Sequence, residues 1–364
     1  MDNFQCRQSD FPNYSNNTVI YLCTILTGLV EFTNAFASLD IYIFVSSVVI
    51  NLCHFSILTR KSMRSTSINL VMASVAVADI LSQIYGIYRN VEVYLESQCY
   101  DFWYYLVFYE NKLFWLQTTV RRYSTFLGFS ISLIRTLVIR YPMSSNLEKL
   151  PQPKTSLYFI TAVIFITLPS TVLGFFEYSE MYNGEMECEN EQGGKYNSYF
   201  STYSDFLLEN NHFWYDIYTI SDGIVSKVKI IPCLLYPFST FLLVLELRKA
   251  TESRKRLSSG QKNLDSNRTT KLILYLTLTF FVAEFPLGII FLVDSSLTFQ
   301  EDFYFLSNVL LFSFYNFFSV LLSLNTCFHM FICLVMSTQY REAVKGIVFC
   351  FKPKKVSKNN VEFW

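Results

Sequence analysis

The stretch from Ser67 to Tyr88 reads SINLVMASVAVADILSQIYGIY, and its character decides the fold. As an α-helix it is about 33 Å long, enough to cross the roughly 30 Å of hydrocarbon in a bilayer. It holds one charged side chain, Asp79. A carboxylate in such a run is too costly to face lipid, so it points into the interior of a bundle, where a polar partner can meet it. The stretch therefore predicts one helix of a polytopic membrane protein.

Working outward, six more segments have the same length and apolar character: about 35 to 58, 112 to 139, 156 to 178, 224 to 247, 272 to 294 and 306 to 336. The expected fold is all-α, a seven-transmembrane helix bundle over residues 35–336. An extracellular segment, 1–34, precedes it and a cytoplasmic tail, 337–364, follows. The run Val19 to Val30 is apolar but has no cationic flank, so it does not read as a signal peptide. The longest polar connections are 179–223 and 248–271. The tail opens with Ser337 to Lys345, patterned as a short amphipathic eighth helix lying along the membrane surface.

Composition agrees. Of 364 residues, 52% are hydrophobic, 18% aromatic and only 16% charged, against about a quarter charged in soluble domains. The formal net charge of zero conceals a polarity. With the N-terminus outside, 21 of the 29 basic residues fall in inner loops and tail, and 21 of the 29 acids fall outside. Basic residues concentrate on the cytoplasmic side of membrane proteins, so this orientation is expected, with the chain in the plasma membrane. The outer face is then net negative by about 15 charges. The inner loop Arg248 to Lys271 has no interleaved aromatics, which points to membrane lipid and a protein partner and excludes nucleic acid. Two sequons, at Asn13 and Asn16, lie in the outer segment as candidate glycosylation sites.

Cys53, Cys233, Cys327 and Cys333 sit in apolar runs and read as packing residues, whereas Cys99 and Cys188 lie in polar segments between spans. No His, Cys or carboxylate spacing suggests a metal site, no Gly-rich phosphate loop occurs, and no Gly-x-Ser-x-Gly nucleophile motif appears. An enzyme is not expected.

The inner end of the third predicted span runs Ile134-Arg135-Thr136-Leu137-Val138-Ile139-Arg140-Tyr141-Pro142-Met143. It resembles the rhodopsin-like receptor motif in which an arginine ends the third helix and a proline opens the second inner loop, with Ile134 where an acid is usual. Closer still, the chain resembles the nematode serpentine receptor class W chemoreceptors, which are related to FMRFamide-type peptide receptors. That resemblance rests on Leu58-Thr59-Arg60-Lys61-Ser62-Met63-Arg64, Arg121-Arg122-Tyr123-Ser124-Thr125, Ala283-Glu284-Phe285-Pro286-Leu287-Gly288 and Leu324-Asn325-Thr326-Cys327-Phe328-His329, and it spans about residues 40 to 345. Asn51 and Asp79 match the polar pair of the first two spans, and Pro237 and Pro286 the prolines of the fifth and sixth. Asn325 to His329 stands where an Asn-Pro-x-x-Tyr switch is usual, with threonine for proline and histidine for tyrosine.

The resemblance implies a G-protein-coupled receptor, a chemoreceptor or neuropeptide receptor of sensory neurons, that binds an extracellular peptide or small molecule and activates a heterotrimeric G protein. A transporter or channel is the alternative, against which stands the lack of internal repeats and paired broken helices. Arg121, Arg122 and Glu284 are the candidate ligand-binding residues. Arg121 lies 14 residues before Arg135, about 21 Å of helix towards the outside. The resemblance places it opposite Glu284, as a switchable ion pair or a static one. Asn51, Asp79, Ser124 and Asn325 are expected to converge in the lower core, as hydrated packing or around a sodium ion at Asp79. No other cofactor is expected. Arg135 is the candidate G-protein contact, or else an interfacial arginine reaching headgroups. Cys99 and Cys188 are expected to form a disulfide between outer loops, with Cys6 a competing partner. The acidic outer face and Glu284 favour a cationic ligand, whereas a buried arginine pair could equally meet an acid.

Overall fold

The computed structural model describes residues 15–97, 103–141, 150, 152–176, 178–187, 195–204 and 304–348, with scattered helical positions between 238 and 289. In chain order these form α1 (Asn16–Ala37), α2 (Asp40–Leu58), α3 (Ser67–Ser97), α4 (Trp103–Arg140), α5 (Pro153–Phe175), β1 (Tyr178–Glu187), β2 (Lys195–Tyr203), α6 (Tyr304–Met336) and α7 (Thr338–Val348). Three helices are long and apolar enough to cross a membrane among the described residues: Asp40–Leu58, Ser67–Leu95 and Phe317–Met336. Most of the expected spans 224–247 and 272–294 lies outside the described residues.

Local chemistry sets the ends of these elements. The Ser15 hydroxyl accepts from the Thr18 amide (3.4 Å) at the start of α1, and Asp40 places a negative charge in the first turn of α2, where the helix dipole favours it. Pro153 opens α5 at a position where its missing N–H costs nothing. Ser337 caps α7 by accepting from the Tyr340 amide (3.2 Å), and Lys345 ends it on a favourable charge.

Two features differ from the expectation. The connection 179–223 contains an antiparallel hairpin, so the fold is mostly helical rather than all-α. β1 and β2 pair from Tyr178↔Tyr203 to Glu187↔Lys195, with a bulge between Tyr182 and Gly184. Gly184 has φ +103°, a conformation that side chains disfavour. The hairpin forms because Tyr, Phe and Thr dominate Lys195–Tyr203, and such residues suit a pleated, half-buried surface. Second, the boundary drawn at 34/35 falls inside a helix. α1 packs on α6 through Phe32 and Phe36, whose rings lie 5.3 and 5.2 Å from that of Phe317.

Polar rows face the interior of the bundle alongside a buried apolar cluster, and apolar rows face outward. On α2, Ser47, Asn51 and His54 are buried while Val45, Val49 and Leu52 are exposed, and α5 exposes Leu157, Phe165, Ile166, Leu168 and Val172. Exposed apolar rows of this extent suit contact with lipid tails. At the α7 end a buried cluster joins Ile57, Leu58, Met63, Val71, Leu127, Ile131, Cys333 and Tyr340. Glycine permits two of the close helix contacts: Gly86 seats the Phe44 ring and Gly174 the Trp115 indole.

Candidate functional site

Polar residues at helical spacing form stripes that face one another inside the bundle. α2 contributes Ser47, Asn51 and His54, α3 contributes Asp79, Ser82 and Gln83, α4 contributes Gln117, Arg121 and Ser124, and α6 contributes Ser319, Ser323, Thr326 and His329. Residues three or four apart share one helix face, so each stripe presents a continuous row.

The rows are stitched into one network. Asn51 Nδ2 donates to the Ser47 carbonyl (3.0 Å) and to Thr326 Oγ1 (3.1 Å), and the Ser47 and Thr326 hydroxyls lie 2.7 Å apart. Thr326 in turn donates to the Ser323 carbonyl (2.8 Å), and Ser323 to that of Ser319 (3.0 Å). Ser319 Oγ accepts from Arg121 Nη2 at 2.8 Å. Three residues on, Ser124 donates to Asp79 Oδ1 at 3.2 Å, and Gln117 donates to the Ser82 carbonyl at 2.9 Å. In a low-dielectric interior each such bond is strengthened, and leaving one partner unmet is costly. The network thus ties α2, α3, α4 and α6 together through hydrogen bonds that a shift of one helix must break.

Above it, towards the hairpin, the mouth of the bundle is fixed by charge and aromatic contacts. Arg89 meets Glu92 at 2.7 Å and Glu110 at 3.0 Å, joining α3 to α4. Tyr88 donates to the Leu106 carbonyl at 2.7 Å. Lys112 donates to the Phe175 carbonyl (2.6 Å), and Asn111 to Ser201 of the hairpin (2.7 Å). The Tyr199 ring of β2 lies 5.4 Å from that of Tyr104 and 5.6 Å from that of Tyr182.

The expected ligand-binding residues separate on this frame. Arg121 lies about 14 Å deeper than Lys112 along α4 and points towards α6, to Ser319. Arg122 is buried with its guanidinium 6.0 Å from the Trp115 ring. Glu284 lies outside the described residues, so its expected pairing with Arg121 is not placed. Of the core quartet, Ser124 meets Asp79 and Asn51 meets Thr326. Asn325 is buried, and its Nδ2 has no hydrogen-bond partner among the described residues. Arg135 lies within the last two turns of α4. Cys99, Cys188 and Asn13 lie outside the described residues, and Asn16 is the first residue of α1.

The donor set near Asp79 is poor for sodium, which takes oxygen ligands as other hard cations do. Ser124 already donates to Oδ1, and facing Oδ2 is a nitrogen, His329 Nδ1, at 3.7 Å. No group of three or more His, Cys, Asp or Glu side chains that could hold a metal occurs among the described residues.

Several members of this network were not singled out from sequence. Ser47, Gln83, Gln117, Ser319 and Ser323 are each unremarkable alone. Their signal was the repeat of small polar residues at i, i+4 and i+7 inside apolar helices, which marks an inward face in a membrane bundle. Two contacts had no such signal. Tyr340 of α7 is 1% exposed, with its hydroxyl 2.7 Å from His54 Nδ1. Cys23 on α1 is disulfide-bonded.

Among models of protein families, the one described as "Serpentine type 7TM GPCR chemoreceptor Srw" matches residues 38–351. No curated protein matches the chain.

Proposed function

Since this chain belongs to the Srw family of serpentine seven-transmembrane chemoreceptors, we propose that it binds an extracellular peptide or small molecule and activates a heterotrimeric G protein at its cytoplasmic face. The observation that carries this reading is the buried hydrogen-bond network running from Arg121 through Ser319, Ser323 and Thr326 to Asn51. Charged and polar groups within membrane spans are costly and mark functional paths, and bonds shared by four helices make the bundle bistable rather than gradually deformable. A ligand that takes the Arg121 guanidinium from Ser319 loosens α6 from α4. That movement is how an event at pocket depth reaches the α7 end.

In this reading Arg121, Arg122 and Glu284 line the ligand pocket, and Arg135 is the G-protein contact. The N-terminal segment lies outside, a placement supported by the disulfide at Cys23, because disulfides persist in oxidising compartments. The acidic outer segments steer a cationic ligand towards the mouth, and the basic inner loops and tail rest on anionic lipid. α7 follows α6 after one residue, and exposed Ile347 on its outer side suits it to the membrane surface.

The test is a screen of cationic peptides and small metabolites on cells expressing the chain, read by nucleotide exchange on a panel of G proteins. A hit whose response is lost in Arg121→Met supports the reading. Ligand-dependent current that persists in cells stripped of G proteins would replace it with a transporter or channel.

A further inference from the structure

Asp79 is 4% exposed near the middle of α3. Its Oδ1 accepts from Ser124, while Oδ2 is buried with no hydrogen-bond donor among the described residues. A carboxylate in this setting needs a countercharge or a proton, because its solvation cannot be replaced by apolar neighbours. Among the described residues one basic group lies within ion-pair reach of it, His329 on α6, with Nδ1 3.7 Å from Oδ2. Arg121, one turn along α4 from Ser124, is engaged with Ser319 instead.

Side chains of α2, α4 and α6 surround the pair with further polar groups. α2 presents the buried His54, whose Nδ1 lies 2.7 Å from the Tyr340 hydroxyl of α7. α6 itself carries the buried Cys327 thiol. α4 offers the Ser124 hydroxyl, and Asn325 brings a buried amide nitrogen with no acceptor among the described residues. A sodium ion there would meet the Asp79 carboxylate and the Ser124 hydroxyl but would also sit against the His329 imidazole, a nitrogen that a hard cation takes poorly.

We infer that the His329 imidazole, set against the Asp79 carboxylate, takes the place of a metal cation as its partner at the centre of this bundle, clasping α3 to α6. Both partners are the chain's own residues, so the clasp does not depend on sodium. Separation of α6 from α3 would break it, and its integrity then marks one of the two arrangements of the bundle. The inference stands apart from ligand and G-protein identity, since it concerns the unliganded protein.

The experiment is thermal unfolding of the full chain in lipid nanodiscs, in sodium chloride and in choline chloride at equal ionic strength. Wild type is expected to unfold at the same temperature in both salts. His329→Asn leaves the carboxylate without its partner and should unfold several degrees lower, with part of the loss restored by sodium and not by choline. The double variant Asp79→Asn, His329→Asn should recover towards wild type and lose any sodium response. If His329→Asn does not fold, His329→Lys places a cation there and is expected to fold and ignore sodium. Stabilisation of wild type by sodium over choline, or a sodium response in His329→Lys, would overturn the inference. So would a His329→Asn protein as stable as wild type in both salts.

Discussion

The contact between His54 and Tyr340 should decide whether α7 is a fixed part of the bundle. Tyr340 is 1% exposed inside a cluster that includes Leu58, Met63 and Val71, and its hydroxyl lies 2.7 Å from His54 Nδ1. Burial pushes its phenol well above the ordinary range, with Cys333 and Cys53 adding smaller effects in the same direction, so the hydroxyl keeps its proton. Tyr340→Phe preserves the ring and removes the hydrogen bond, leaving a buried imidazole nitrogen unmet at a cost of about 1–3 kcal/mol. That corresponds to a shift of about 5- to 150-fold in the docking equilibrium of α7. Tyr340→Ala also empties the ring's space and should cost about 3–5 kcal/mol. Hydrogen exchange of the α7 amides in nanodiscs reads the effect. They should exchange faster by the stated factor in Tyr340→Phe, with the α2 and α3 core unchanged. Adding His54→Leu removes the orphaned partner and should restore part of the protection. If Tyr340→Ala left α7 exchange at the wild-type rate, α7 would not be held through this contact and the reasoning would fail.

Gly86→Ala and Gly174→Ala place a methyl group against the rings of Phe44 and Trp115. Each should destabilise by about 1–3 kcal/mol through overpacking, visible as lower surface expression and an earlier thermal transition; wild-type behaviour would mean the helices are not in close contact there. Arg121→Met and Glu284→Gln should each impair expression or shift basal signalling, with the double variant recovering part of the loss; simple additivity would show that they are not partners. Arg135→Ala should abolish nucleotide exchange while ligand affinity stays within a few fold, and wild-type exchange would remove Arg135 from the coupling face. Mapping of non-reduced peptides should find Cys99 joined to Cys188 and Cys23 joined to a third cysteine. Free thiols at 99 and 188 would refute the loop disulfide.

What the sequence by itself determined is the bilayer as solvent and the family. Apolar runs of spanning length are a local property, legible in Ser67 to Tyr88 without any partner, and the family motifs are strings of neighbouring residues. The depth of Arg121 relative to Arg135 followed from helical rise alone, since both sit on one helix. The hairpin was hidden because Tyr178–Glu187 mixes Glu, Asn and Gly with its aromatics, and its pairing partner lies beyond a loop. α1 was hidden for a related reason, since its docking surface is Phe317, nearly 300 residues away in the chain. Which polar residues meet could be decided only by the tertiary structure. Facing stripes on two helices can mesh in several registers, and packing of Gly86 on Phe44 and Gly174 on Trp115 selects one of them. That selection put His329 rather than an empty cavity opposite Asp79, and Ser319 beside Arg121. Periodicity names the inward face of each helix, but which side chain lies across from it depends on the rotation and translation of helices far apart in sequence, and those are set by the packed bundle as a whole.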